Sequence, residues 1–514
     1  MTRVRLAEIM GAMSLATDIG LGAPLETGLS VCLMAVRLGQ AMGLSDEDLT
    51  RTYVLALLRH IGCTADSSQM AAMGGDEYAM NMAMAPLDIA DPRQTMPRLL
   101  RHLAREFPGV KFPPAVLRMV AMAPKMRQHD VARCEVAEML AERMGFDRVV
   151  QQDVRLFNER WDGKGPARVK GDGVPPPVRA VQVAEGAAIL RHAGGAAGVA
   201  DEVKARSRKM YGPDAVEAFL ADPGAVLSAS EAPSAWDAVM DAEPQPRIVL
   251  SDDRLDGALH AMAEFSDLKS PYLVGHSEGV AALARAAAGQ AGLPPADVAA
   301  VHRAGLVHDV GRAGVSTTVW DRPGPLSLDQ WERVRMHPYF TDRVLARAEA
   351  LERVTGLASM HHERMDSSGY FRRAGPAQQP PGARVLAAAD AYHAMLEERP
   401  HRDALPRERA AEELRAEVQA GRLDGNAVDA VLLAAGEPVR KRRDHVGALT
   451  AREVEVLRLV ARGLSIKEIA RTLHIAPKTA DAHIQHIYTK AGVTTRAAAT
   501  VYAMQHDLVG PLVD

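Results

Sequence analysis

Seven residues in the second half of the chain carry side chains that first-row metal ions prefer: His276, His308, Asp309, His337, His361, His362 and Asp390. Imidazole and carboxylate without thiolate suit iron, manganese, zinc or a mixed pair of divalent ions. Seven ligands exceed what one ion uses and are about right for two. A carboxylate such as that of Asp309 can bridge two ions with its two oxygens. Paired ions about 3.5–4 Å apart clamp a phosphoryl group and activate water against it. His308 and Asp309 lie in GLVHDVGR (Gly305 to Arg312), an apolar frame where two ionisable residues are costly unless something pairs them.

The same frame recurs at Ala56 to Cys63 as ALLRHIGC, with Arg59-His60 in place of the pair. Further matches follow in the same order. APLETGLSVCL (Ala23 to Leu33) answers SPYLVGHSEGV (Ser270 to Val280). NERWDGKGP (Asn158 to Pro166) answers HERMDSSGY (His362 to Tyr370), and RAVQVAEGA (Arg179 to Ala187) answers RVLAAADAY (Arg384 to Tyr392). The chain therefore contains a duplication. Read across it, His276 becomes Leu29, His308-Asp309 becomes Arg59-His60, His362 becomes Asn158 and Asp390 becomes Glu185. The apolar frame and glycines persist while the ligand residues change. The first copy reads as scaffold or sensor, and the second as the place where chemistry happens.

The elements that must hold these residues are helices. Aromatics make up only 4% of the 514 residues, while Ala, Leu, Val, Met and Arg abound, which favours an all-α fold. The length is too great for one core and suggests about three domains. We expect a degenerate domain over 1–195, a partly helical linker over 196–252 rich in Ala, Ser, Pro and acid, and the metal-binding domain over 253–435. A basic hinge follows at 436–445, and a compact helical domain closes the chain over 446–514. A net charge of -4 excludes a chain that is basic throughout, so contact with nucleic acid must be local. The cysteines Cys32, Cys63 and Cys134 form no CxxC pair, which excludes a disulfide framework and a zinc ribbon. Glu8 and Asp18 interrupt the N-terminus, and no long apolar run occurs, so neither a signal peptide nor a membrane span is expected. These features together predict a cytoplasmic protein.

GHSEGV, LVHDVGR, DRPGPLSLDQWERVRMHP, HHERMDSSGY and AAADAYHAM resemble, in order and spacing, the motifs of the HD-GYP branch of the HD phosphohydrolase superfamily. The resemblance covers about residues 253–435, with a degenerate echo over 1–195. It implies an all-helical fold, a two-metal centre and hydrolysis of a nucleotide phosphodiester, typically cyclic di-GMP. It implies one ion on His276, His308, Asp309 and Asp390, and a second sharing Asp309 and taking His337, His361 and His362. A Glu that holds a third ion in some members is here Tyr272. The usual Lys after the HDxG motif is Arg312, which keeps the charge for substrate phosphate with a different geometry. Gly279 removes a cation, and DSSGYF stands where the signature carries Asp-Gly-x-Gly-Tyr-Pro. Asp309 and Arg312 are the expected catalytic residues. The alternative is a catalytically silent sensor whose only output is DNA binding.

That output is expected from residues 446–510. Capping boxes are expected at Thr450 with Glu453 and at Ser465 with Glu468, Pro477 suits the start of a third helix, and Gly492 its end. Leu449, Val454, Leu457, Ile469, Leu473, Ile484 and Ile487 would form one small core. LTAREVEVL, ARGLSIKEIA, PKTADAHI and KAGV resemble the LuxR-type helix-turn-helix. The resemblance implies a small four-helix domain that binds operator DNA through Lys478, Thr479, His483, Gln485 and Lys490. It also implies pairing of two chains as a homodimer through the helix after Thr495. Arg440 to Arg443 (RKRR) adds a positive patch for phosphates.

Overall fold

The apolar and polar residues recur at helical spacing, and helices account for the regular structure. The computed structural model describes residues 4–107, 130–437 and 449–505. Among these there is no β-strand, only isolated bridges such as Arg5 with Val249. No helix among them is long and apolar enough to cross a membrane. The chain forms two compact units, Met1–Glu437 and Pro438–Asp514. Apart from Gly436 and Glu437, the basic hinge expected at 436–445, with its RKRR patch, lies outside the described residues.

Both copies of the duplication lie in the first unit. In the first, Thr27–Ala41, Asp46–Leu57 and Pro176–Gly194 pack on one another. In the second, His276–Gln290, Pro295–Val307, Pro381–Met395 and Gly425–Ala434 do the same. An aspartate starts the central helix of each. Asp18 accepts from Gly28 N at 3.0 Å, and Asp267 accepts from Ser277 N at 2.9 Å and from its hydroxyl at 2.6 Å. The helix Leu6–Leu21 is apolar on nearly every side and buried almost throughout. It packs on its own copy and also on the turn Val310–Gly314 and the helix His337–Leu345 of the other.

Segment 196–252 is more ordered than its composition suggests. It forms helices Val199–Ala205, Pro213–Ala221, Pro223–Ser228 and Ala235–Asp241, which pack on the first copy. Val203, Phe219 and Val239 are fully buried there, and Tyr53 Oη donates to Val239 O at 3.0 Å. Proline at the first turn of two of these helices starts short elements that composition alone reads as linker.

A buried ion pair joins the copies. Glu77 accepts from Lys269 Nζ at 2.8 Å, from Ser316 Oγ at 2.7 Å and from Thr317 N at 2.8 Å, and Lys269 is 0% exposed. Tyr78 Oη donates to Ala313 O.

In the second unit, helices Ala451–Ala461, Ile466–Thr472, Pro477–Ala491 and Arg496–Gln505 enclose a core containing Leu449, Val454, Leu457, Ile469, Ile484 and Ile487, with Leu473 packed at its edge. Both expected capping boxes form, and Gly492 ends the third helix at φ 65°. Ala476 offers that helix no side-chain cap.

Burial would raise the Glu77 carboxyl, but Lys269 and the hydrogen bonds from Lys269, Ser316 and Thr317 outweigh it and hold it below its usual 4.5. The stability this gives is complete above the ordinary carboxylate range and is lost as pH falls through the depressed value. Lys269→Met leaves Glu77 buried and unpaired. It is expected to lower the unfolding free energy of the first unit by about 3–5 kcal/mol at neutral pH, measured by urea denaturation. The deficit should shrink on acidification as Glu77 becomes neutral in both proteins.

Candidate metal centre and nucleic-acid interface

The second copy brings all seven expected ligands together. His308 caps the helix Pro295–Val307, and Asp309 follows it into the turn Val310–Gly314. His276 opens the helix His276–Gln290, His337 opens His337–Leu345, and Asp390 lies in Pro381–Met395. His361 and His362 follow the helix Glu352–Ala358. Gly311 makes the approach possible, because a Cβ there would lie 2.1 Å from His337 O and 2.4 Å from Thr341 N. Backbone ties fix the turn: Ser266 Oγ donates to Asp309 O at 2.7 Å and Thr341 Oγ1 to His308 O at 2.8 Å.

Asp309 is the centre. Its Oδ2 lies 3.4 Å from His276 Nε2 and 3.0 Å from His308 Nε2. Its Oδ1 lies 3.4 Å from both His337 Nε2 and His361 Nε2. Asp390 Oδ1 is 3.4 Å from His276 Nε2 and 3.7 Å from His308 Nε2, and its Oδ2 is 3.9 Å from His362 Nδ1. Four overlapping groups of possible ligands converge here: His276 with His308 and Asp390, His337 with His361 and His362, His308 with Asp309 and His361, and His276 with His393 and Glu397. Asp309 turns one oxygen to each of the first two. His276, His308, Asp309 and His361 are 0% exposed. Both Asp309 oxygens, Asp390 Oδ1 and the Nε2 atoms of His276 and His308 are nevertheless buried without hydrogen bonds. Buried polar atoms that converge without satisfying one another fit a site built for cations.

Electrostatics divide the site in the same way. Burial disfavours a charged His276 or His308, yet the surrounding carboxylates outweigh it and push them up to about 10 and about 9. His337 is pushed down to about 3 by burial and by His361 beside it. Burial opposes ionisation of Asp309, but Arg312 and the histidines hold its carboxyl well below the usual range. Arg312 Nε is 2.8 Å from Asp309 Oδ2 but out of line for a hydrogen bond, and its guanidinium lies over Trp320 at 4.9 Å.

Three neighbours escaped the sequence reading: Glu397, His393 and Arg399. Glu397 Oε2 accepts from His276 Nδ1 at 2.9 Å. Glu397 lies seven residues beyond Asp390 in a run that reads as solvated surface; only its helical spacing from Asp390 hinted at this.

The first copy fills the equivalent place with its own cation. Arg59 Nε is 2.8 Å from Glu185 Oε2, His60 Nε2 is 2.6 Å from Glu185 Oε1, and Arg59 Nη2 donates to Asn158 Oδ1 at 3.2 Å. Glu185 is buried, yet Arg59 and His60 outweigh that and bring it down to about 2. Leu29, opposite His276 in the duplication, is fully buried. A Cβ on Gly62 would lie 2.1 Å from Arg133 O, as one on Gly311 would from His337 O. Arg133 is thus the counterpart of His337, and it pairs with Asp66 at 2.7 Å.

In the second unit Lys478, Thr479 and Gln485 are exposed on the helix Pro477–Ala491, and His483 is half-buried. Lys490 is different. Its Nζ lies 2.9 and 2.7 Å from the two oxygens of Glu453, the residue that closes the first capping box.

Comparison with known proteins bears on both units. Residues 261–427 match the HD domain family, and residues 447–503 match the bacterial regulatory proteins of the luxR family. The chain is 26% identical over 411 residues to the 3'3'-cGAMP-specific phosphodiesterase 3 of Vibrio cholerae serotype O1, covering 79% of this chain and 89% of the relative. It is 29% identical over 158 residues to a cyclic di-GMP phosphodiesterase of Thermotoga maritima, 30% of this chain and 42% of the relative. The C-terminal region is 40% identical over 79 residues to the response regulator protein VraR of Staphylococcus aureus, 15% of this chain and 38% of the relative. A crystal structure of a cyclic GMP-AMP specific phosphodiesterase from V. cholerae superposes with a TM-score of 0.58 at 23% identity, over 85% of this chain and 99% of that one, a likeness of fold. The chain joins an HD domain homologous to these phosphodiesterases to a luxR-type domain.

Because Lys490 holds Glu453, Lys490→Ala is expected to cost the second unit about 0.5–1 kcal/mol. Faster amide hydrogen exchange at the start of the helix Ala451–Ala461 would register it. Lys478→Ala should leave that exchange unchanged.

Proposed function

We propose that the chain is a DNA-binding regulator whose HD domain hydrolyses a nucleotide phosphodiester at a two-metal centre. The observation that carries this is Asp309, a fully buried carboxylate whose two oxygens each face a separate histidine pair without a hydrogen bond. His276, His308 and Asp390 with Asp309 Oδ2 would hold one divalent ion of the iron, manganese or zinc class. His337, His361 and His362 with Asp309 Oδ1 would hold the other. Bound there, such a pair supplies charge for a phosphoryl group and lowers the pKa of water.

The remaining chemistry belongs to the chain. His308, His337 and His361 present Nε2 because Nδ1 of each donates to a backbone carbonyl. Arg312 sits beside Asp309 with its Nη1 unsatisfied, placed to receive a non-bridging phosphate oxygen. Thr341 and Ser266 keep the Asp309 turn from shifting as charge builds up. The phosphodiesterase relatives favour a cyclic dinucleotide as substrate. In the second unit Lys478 contacts phosphate, while Thr479, His483 and Gln485 reach toward base edges. Two chains pair on a two-fold site through the helix Arg496–Gln505.

A hydrolysis screen of manganese-loaded protein over 3'3'-cGAMP, cyclic di-GMP and nucleotide monoesters tests the reading. It predicts a linear dinucleotide from at least one cyclic substrate and none from Asp309→Ala, which loses the ligand common to both ions. Tight binding without product would identify a silent sensor instead. For DNA, Lys478→Ala should weaken all duplexes about equally and shallow the salt dependence by about one unit of slope. Unchanged affinity on every duplex would contradict the docking.

A further inference from the structure

Three histidines around Asp309 are locked by backbone in the same way. His308 Nδ1 donates to Gly305 O at 2.7 Å, His337 Nδ1 to Val334 O at 2.6 Å and His361 Nδ1 to Ala358 O at 2.7 Å. Each sits at the end of a helical turn and uses the carbonyl three residues behind it. His276 is placed differently. It opens its helix immediately after Gly275, which is left-handed at φ 81°, and its Nδ1 goes to the carboxylate of Glu397 at 2.9 Å.

Glu397 is itself held on both sides. Its Oε2 accepts from Arg399 Nη2 at 2.5 Å, and Arg399 Nη1 donates to Tyr272 O, in the turn that leads into His276, at 3.3 Å. Its Oε1 lies 3.2 Å from His393 Nδ1, an ion-pair distance without a hydrogen bond. The His393 ring occupies the space beside Gly279, where a Cβ would come within 2.0 Å of its Nε2. The missing side chain at Gly279 therefore makes room for the histidine that buttresses Glu397.

We propose that Glu397 is the positioning residue of the His276 half of the centre. Its carboxylate fixes the tautomer and rotation of the His276 ring. Within that half-site His276 depends on a side-chain relay of Glu397, His393 and Arg399, while His308 beside it, like His337 and His361 in the other half, rests on a backbone carbonyl. The inference rests on the two-metal reading above. It adds that the two ions are held unequally, and that the first to be lost is the one on His276.

The test is equilibrium dialysis of the full-length protein against manganese(II), with the electron paramagnetic resonance spectrum recorded at each loading. Wild type is expected to bind two ions per chain as a spin-coupled pair. Glu397→Gln keeps the size of the side chain but removes its charge. It is expected to keep one ion at wild-type affinity, to weaken the second by roughly 10- to 100-fold, and to show the resolved hyperfine pattern of an isolated ion at partial loading. Gly279→Ala leaves Glu397 in place but drives a methyl group against His393, and it should weaken the same ion. Glu397→Gln that binds both ions as wild type does, or that loses both together, would overturn the assignment. Wild type that binds no manganese would overturn the two-metal reading itself.

Discussion

A bare carboxylate in the interior is among the costliest groups a fold can carry. Asp309 is 0% exposed, and neither of its oxygens has a hydrogen bond. The first unit is arranged around that demand for positive charge. Gly311 lets the His337 helix close on the turn, Ser266 and Thr341 pin its carbonyls, and Gly305 admits the backbone of Ala281 so that His276 and His308 can meet. Arg312 answers part of the demand from one side. The four Nε2 atoms between 3.0 and 3.4 Å away leave the rest to cations.

The degenerate copy shows the same demand met from within the protein. Glu185 is largely buried, though less deeply than Asp390, and the guanidinium of Arg59 neutralises it where the second copy carries His308. An arginine cannot give up its charge to a ligand or trade it for an ion, so Arg59 fills this place with a permanent cation. Its contribution is mechanical. Glu77 and Tyr78 reach from the first copy to Lys269, Thr317 and Ala313, on either side of the Asp309 turn, and the helix Leu6–Leu21 packs behind that turn. The two copies share one interior, and the first supports the second.

The seven residues that the fold brings together around Asp309 stood out in the sequence because their types are rare in apolar frames and because the duplication supplied an internal control. The all-helical class followed from composition, and the core and caps of the second unit from spacing. What escaped depends on long-range geometry. Glu397 and Glu398 read as two solvated acids until the chain folds one of them back onto His276. Arg133 has no motif around it, and only the close approach at Gly62 equates it with His337. Lys490 reads as a phosphate contact, and its pairing with Glu453, far away in sequence, carried no signal. The partly helical character of 196–252 was expected, but the packing of its helices on the first copy, with Phe219 and Val239 fully buried, was not.

The central claim is that Asp309 is shared by two ions while Glu185 has no such neighbour. Anomalous diffraction from crystals of the metal-loaded protein, recorded across the absorption edge of the bound element, tests it most directly. The account predicts two peaks, one toward His276, His308 and Asp390 and one toward His337, His361 and His362, with Asp309 between them and no peak near Arg59 and Glu185. A single peak that Asp309 does not touch, or any peak at Glu185, would contradict it.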